Sequence, residues 1–355
     1  DRHVEFLQEF LRIRSVWGDG RELTKAAEHL AAALCDAGVA AELTACGTDE
    51  MFNVQATLGP ATDDGLIFNG HMEVYPPSTS WTRDPFGGDV VDGEIYGVGV
   101  ADMKAGTAAM TLAVATLAEL GLVPARGVSV LAVPNHFEGG EGTRQALRDG
   151  LRARYAINCE PSDMQVLLGQ RGIAYVNVTA HGRAAHTTAL DIGVNAIDRA
   201  TRVISAVLDQ PMTDPSGALL DDVLVCNVAQ IAGGVAHNLI PERCDVTFDF
   251  RFPPEQDQEC VLRDVRAAVA RALPDLSAFG VDVSLEPTCV KNPRSSLRVP
   301  PDAKVISTLS AAHRLVGGQA AQYATHRAWP DTPIFWEAGI EAATYGPGSM
   351  DCYWD

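Results

Sequence analysis

The 355-residue chain is poor in positive charge: 27 Lys and Arg stand against 46 Asp and Glu, a formal net charge of −19. It contains no run of Lys or Arg, and a nucleic-acid or anionic-membrane partner would demand clustered cations. There is no C-x-x-C pair. The eight cysteines (Cys35, Cys46, Cys159, Cys226, Cys244, Cys260, Cys289 and Cys352) are scattered singly. That pattern excludes a zinc ribbon or a secreted disulfide framework and points to free thiols in a reducing compartment. No apolar stretch near a terminus approaches the length of a membrane span, and Asp1-Arg2-His3-Val4-Glu5 does not read as a signal peptide. These absences leave a small-molecule enzyme or an assembly component, expected in the cytoplasm, with no nucleic-acid or membrane partner.

What is present is ample core material, with 46% hydrophobic residues. A chain of this length makes two domains or one large one, and needs no metal staple to fold. Helical spacing runs over 4–13, and an Ala-rich helix over 24–37 stops at Gly38. Short apolar strands at 66–68, 128–133 and 155–158 alternate with helices, among them 103–120. Such alternation predicts an α/β catalytic domain with a mostly parallel sheet covered by helices on both faces. The pattern changes near Gly169. Longer, alternating strands at 173–180, 223–231 and 246–251, with helices at 194–208 and 260–273, predict a smaller inserted α+β domain. The expected division is therefore 1–168, 169–286 and 287–355, the last segment returning to the catalytic domain with a helix at 303–316 and a strand near 342–345.

Open α/β sheets place function at the carboxyl ends of their strands. His71 follows one strand, Glu160 another, and Asp102 sits where a loop enters a helix. One imidazole and two carboxylates suit Zn²⁺ or a similar divalent ion. Each also has a plain structural reading: a hydrogen-bonded His, a helix N-cap Asp, a solvated loop Glu.

The flanking residues tip the balance. Gly70-His71-Met72-Glu73-Val74, Trp81 through Asp84-Pro85-Phe86, and the run from Tyr96 through Asp102-Met103-Lys104-Ala105-Gly106 form an ordered set. It continues through Cys159-Glu160-Pro161, Gly182-Arg183-Ala184-Ala185-His186, Gly233-Gly234, Asn238-Leu239-Ile240-Pro241, Asp249-Phe250-Arg251 and Gly346-Pro347-Gly348. Across nearly the whole chain the set resembles the zinc metallopeptidase and deacylase family of acetylornithine deacetylase, succinyl-diaminopimelate desuccinylase, aminoacylase and glutamate-releasing carboxypeptidases. The resemblance implies that His71 and Glu160 hold one metal, with Asp102 as the carboxylate shared by two. It implies that His186 and Asn238 come from a dimerising lid and bind or polarise the substrate carbonyl, commonly from the neighbouring subunit. Arg251 would grip a substrate carboxylate, as a guanidinium fork does well. His326 falls where the family lines its substrate pocket.

Three departures qualify the resemblance. The family carries an adjacent Glu-Glu pair, base and second-metal ligand, before a Gly-rich turn. Here the stretch reads Pro134-Asn135-His136-Phe137-Glu138-Gly139-Gly140-Glu141-Gly142-Thr143. Either register removes the base carboxylate, and one also removes the ligand. The family's last His, past the Gly-Pro-Gly turn, is missing, with Cys352 the one soft donor nearby. Glu73 stands where an Asp usually orients the first His. Losing a general base commonly costs roughly 10²–10⁴-fold in rate, and His136 is the residue that could replace it, as base or as ligand. His136, His186 and Glu73 are thus the catalytic candidates. Asn238, Arg251 and His326 are the substrate-binding candidates. His71, Asp102 and Glu160 would hold one divalent ion, zinc first, rather than two. The expected activity is amide-bond hydrolysis of an N-acyl amino acid or small peptide-like molecule by a homodimer. The alternatives are acyl transfer, amide formation or rearrangement of an amino-acid derivative on the same fold, and a non-catalytic dimeric binding protein.

Overall fold

The computed structural model describes residues 2–213, 225–274 and 279–349. The chain divides into two compact units. The first takes in 1–168, 299–326 and 330–355, and the second takes in 169–298 and 327–329.

In the first unit the strands Val128–Val133, Leu66–His71, Tyr155–Asn158 and Glu341–Thr344 lie side by side and parallel. Antiparallel strands flank them, Thr48–Leu58 and Ala41–Cys46 on one side and Val166–Gln170 on the other. The parallel strands are buried along nearly their whole length instead of at alternate residues. That is the signature of a sheet covered on both faces. Helices Gly20–Asp36, Ala105–Glu119, Glu141–Arg148 and Thr332–Glu337 supply the cover. No described helix is long and apolar enough to cross a membrane.

The second unit is an antiparallel sheet ordered Val225–Gly233, Arg243–Phe252, Gly172–His181, Val281–Leu285. Here burial alternates along the two central strands, from Ala174 in one and throughout the other. Ala174, Val176, Val178 and Ala180 face the same core as Val246, Phe248, Phe250 and Phe252, under helices Ala196–Leu208 and Gln258–Ala272. The opposite face is polar, with Thr179 bonded to Asp245 and Thr247 to Asn177 across the strands. The strand expected over 223–231 is described from Val225 onward.

Two details differ from the sequence pattern. The second unit runs on to Arg298 instead of ending at 286, because Pro287–Lys291 packs on the strand Gly172–His181 and Ile173 bridges to Arg294. The helix after Asp102 is prefaced by a wide turn, Val100–Lys104, in which Asp102 has the non-helical angles φ −116° and ψ 93°. The regular helix begins at Ala105.

Candidate metal centre

The carboxyl ends of the parallel strands converge on one cluster. His71 closes its strand in register with Val133, so the loop that follows Val133 carries His136 over it. The two imidazoles stack with centroids 4.6 Å apart and planes 11° from parallel. Glu160 lies just past Asn158, which is level with Asn69 on the His71 strand. Its position is set by an unusually close fit. The Cys159 carbonyl is wedged between Gly106 and Gly346, where a β-carbon would come within 2.0 and 2.2 Å of that oxygen. Only glycine tolerates such an approach. Ser162 ties the same loop to the Gly346 main chain.

The donor atoms meet at short range. His71 Nε2 is 3.0 Å from Asp102 Oδ1 and 3.5 Å from Glu160 Oε1, and His136 Nε2 is 3.8 Å from Glu160 Oε1. Each imidazole is oriented from behind. His71 Nδ1 donates to the Glu73 carbonyl at 2.9 Å, and His136 Nδ1 donates to Asp331 Oδ1 at 2.8 Å. With Nδ1 carrying the hydrogen, Nε2 of each ring presents its lone pair to the cluster. Metal-binding histidines are held in this way. Asp331 is itself anchored, its Oδ2 accepting from Thr143. Thr143, Asn69 and Asn158 continue as a buried chain of hydrogen bonds that ends on the Glu160 amide.

The charges are strongly coupled. Burial lowers the His71 pKa, but Glu160 and Asp102 outweigh it and raise the imidazole well above its ordinary value. Burial likewise opposes the His136 cation, and Asp331 overcomes it, so that pKa is raised too. Burial and then Asp102 push Glu160 upward. Asp102 is drawn down, against burial, by His71. The carboxylates thus call for positive charge at this point, which protons on the imidazoles or a divalent ion would supply.

The residues fit a divalent ion. One ligand atom each from His71, His136 and Glu160 lie within 4.8 Å of one another, and all three residues are buried. A tetrahedron with bonds of about 2.1 Å has edges of about 3.4 Å. The 3.5 and 3.8 Å separations come close to that edge. Two imidazoles and a carboxylate are a donor set for Zn²⁺ or its neighbours.

Other candidate residues take positions the sequence does not announce. Glu73 orients His71 through its main-chain carbonyl. Its carboxylate instead accepts from the Phe137 amide at 2.6 Å. Phe137 packs against His71 and His136, with centroids 5.3 and 5.6 Å away. His326 is 1% exposed and donates from Nε2 to the Pro161 carbonyl, so it braces the loop of Glu160 instead of lining an open pocket. In the second unit, His186 is exposed, with Nδ1 bonded to Thr188, and the Thr187 amide donates to the Asn238 carbonyl. His186 and Asn238 are therefore neighbours on one short ribbon, Ala185–His186 paired with Leu239–Ile240. Arg251 is forked onto Asp249 at 2.8 and 2.9 Å. Cys352 lies outside the described residues.

Asp331 is the residue that the sequence hides. Preceding Thr332-Pro333 at a helix start, it reads as an N-cap, yet it makes no capping bond and turns to His136. Gly140 permits this, since a β-carbon there would come within 2.7 Å of Asp331 Oδ1.

Comparison with known proteins agrees with the fold. Residues 168–277 match the M20 peptidase dimerisation domain. A succinyl-diaminopimelate desuccinylase of Rhodospirillum centenum is 32% identical over 64% of this chain, which spans 62% of that enzyme, under two thirds of its length. The desuccinylase of Methylocella silvestris is 30% identical over 76% of this chain and 72% of its own length. Among solved structures, an M20 family metallo-carboxypeptidase of Sulfolobus solfataricus superposes with a TM-score of 0.78 at 18% identity, covering 100% of this chain and 96% of its own. A dinuclear metal-binding M20 peptidase of Bacillus subtilis gives 0.65 at 14% identity, covering 98% and 88%. With that sequence identity sustained over most of a relative's length, the chain belongs to the M20 peptidase family.

Proposed function

We propose that this chain is a metal-dependent amidohydrolase that cleaves the amide bond of an N-acyl amino acid or small peptide-like substrate, with one divalent ion per subunit. The observation that carries the reading is the convergence of His71, His136 and Glu160, each imidazole anchored through Nδ1. When bound, the ion would polarise the amide carbonyl and acidify a water. His71, His136 and Glu160 hold it. Asp102 has 26% of its side chain exposed, against 5% for Glu160 and 2% for Asp331, so it is the carboxylate able to accept the proton of an attacking water. One ion is favoured over two because Phe137 puts an apolar ring beside the imidazoles where the family's acidic pair would stand.

His186 and Asn238 are assigned to the substrate carbonyl and Arg251 to a substrate carboxylate. The similarity to succinyl-diaminopimelate desuccinylases supports an acylated amino acid as the substrate class. The match to a dimerisation domain supports a homodimer formed through the second unit. Free buried thiols at Cys46, Cys159 and Cys289 support a reducing, cytoplasmic setting.

A second reading, acyl transfer to an amine, is favoured by the same Phe137, since a site short of a strong base activates water poorly. One experiment separates the readings. Metal content is measured on the parent, His71→Ala and His136→Ala proteins, and N-acyl amino acids are then assayed with and without an added amine. About one ion in the parent, loss of it in both variants and release of free acid establish the hydrolase. Transfer product in excess of free acid moves the second reading forward. No bound ion in the parent overturns both.

A further inference from the structure

Resting on the amidohydrolase reading, a second feature defines what the substrate carries beside its amide. We propose that Trp17, Tyr75 and Phe137 form a binding shelf for a flat, neutral aromatic group of the substrate. Tyr75 stacks on Phe137 with centroids 4.0 Å apart and planes 13° from parallel. Trp17 meets Phe137 edge-on at 6.4 Å and 86°. The two outer rings therefore stand nearly at right angles, one offering a face-on wall and the other an edge-on wall, the two arrangements that aromatic pairs prefer. Both are 43% exposed. Phe137 joins this shelf directly to the imidazoles of His71 and His136. A group lying on it would thus flank the bond held at the metal centre.

The shelf is rigid. The Trp17 amide donates to the Val74 carbonyl, and the Val74 amide donates to Ser15, each at 2.9 Å. Ser15 Oγ holds the Met72 carbonyl at 2.7 Å, and the Phe137 amide is fixed on Glu73. Two exposed aromatic side chains are therefore set on hydrogen-bonded backbone. A cation is a poor occupant. A divalent ion held by His71, His136 and Glu160 would place positive charge next to the shelf. A neutral ring meets no such repulsion.

The test compares N-benzoylglycine, N-(cyclohexylcarbonyl)glycine and N-acetylglycine as substrates of the zinc-loaded, full-length protein. It uses the parent and the Trp17→Ala and Tyr75→Ala variants. The shelf requires the benzoyl substrate to lead both others in kcat/KM, by about ten-fold over acetyl, and each variant to shrink that ratio several-fold. A parallel fluorescence titration of metal-free protein with N-benzoylglycine should show quenching that Trp17→Phe removes. Equal turnover of all three substrates, with ratios unmoved by either variant, overturns the shelf and leaves the amidohydrolase reading intact. If no substrate is turned over, the amidohydrolase reading fails and the titration alone decides. Quenching lost in Trp17→Phe supports the shelf, and absence of quenching refutes it.

Discussion

Replacing Asp331 by Asn tests the least expected part of the metal centre. In the parent, Asp331 Oδ1 accepts from His136 Nδ1 at 2.8 Å and Oδ2 accepts from Thr143. The carboxylate is 2% exposed, so no water can substitute freely for either bond. An amide has one acceptor oxygen and cannot serve both donors. Asp331→Asn therefore either frees the imidazole to rotate and change tautomer, or strands Thr143, and in both cases removes the charge that favours a basic Nε2. Losing a partner of this kind typically weakens metal binding 10- to 100-fold, about 1.4–2.8 kcal/mol. Competition against a chromogenic zinc chelator measures it directly, with circular dichroism to confirm the fold. Thr143→Val is the control: it breaks the outer bond and keeps the carboxylate on His136, so its loss of affinity should be much smaller. If Asp331→Asn binds zinc as tightly as the parent, His136 is not a ligand. If Thr143→Val is equally damaging, the effect belongs to packing and the assignment of Asp331 fails.

Three further outcomes follow from the same structure. Gly346→Ala would drive a β-carbon to within 2.2 Å of the Cys159 carbonyl; it should cost about 1–3 kcal/mol in denaturant unfolding and weaken metal binding together with stability, whereas loss of stability alone would detach Glu160 from this wedge. Asn69→Ala removes the link between Thr143 and Asn158; stranding those buried groups should destabilise the protein by about 1–3 kcal/mol, and a change within experimental error would mean the chain of bonds contributes nothing. Burial, helped by Glu141, raises the Cys46 thiol to about 11 from its usual 9. The unfolded chain thus gives up this proton first. Between pH 9 and 11 stability should fall by up to about 1.4 kcal/mol per unit through this thiol alone. Cys46→Ala should flatten that part of the slope, and unchanged slopes would contradict the buried neutral thiol.

The parallel core was legible because each strand is a short apolar run ended by a polar residue, and those endings are where His71 and Glu160 sit. Burial on both faces erases the alternation that would otherwise mark strand register, so the contact between His71 and His136 could not be read off the chain. Asp331 was out of reach for another reason. It stands 195 residues from His136 and imitates a helix cap. Glu73 was recognised by position, but a side chain one methylene longer than Asp passes the imidazole and reaches the Phe137 amide, leaving the carbonyl to do the orienting. Arg251 carries the charge expected of a carboxylate clamp, yet it is paired with Asp249, two residues away on the same strand. The limit of the second unit at Arg298 escaped because the helix Pro287–Lys291 resembles the start of a new α/β repeat while packing on the older strand.

The wedging of the Cys159 carbonyl between Gly106 and Gly346 has a consequence for how the protein comes into being. Glu160 is placed by residues more than two hundred positions apart in the chain, and His136 is anchored by a residue equally late in synthesis. A nascent chain that has emerged only through its first three parallel strands already displays His71, His136 and Glu160 with the Thr143, Asn69 and Asn158 bonds between them, but it lacks Asp331 and the Gly346 side of the wedge. Chelating competence arrives with the last strand and its turn. An incomplete chain leaving the ribosome early would then carry the donor groups without the grip, and a divalent ion would be taken up by finished molecules in preference to fragments.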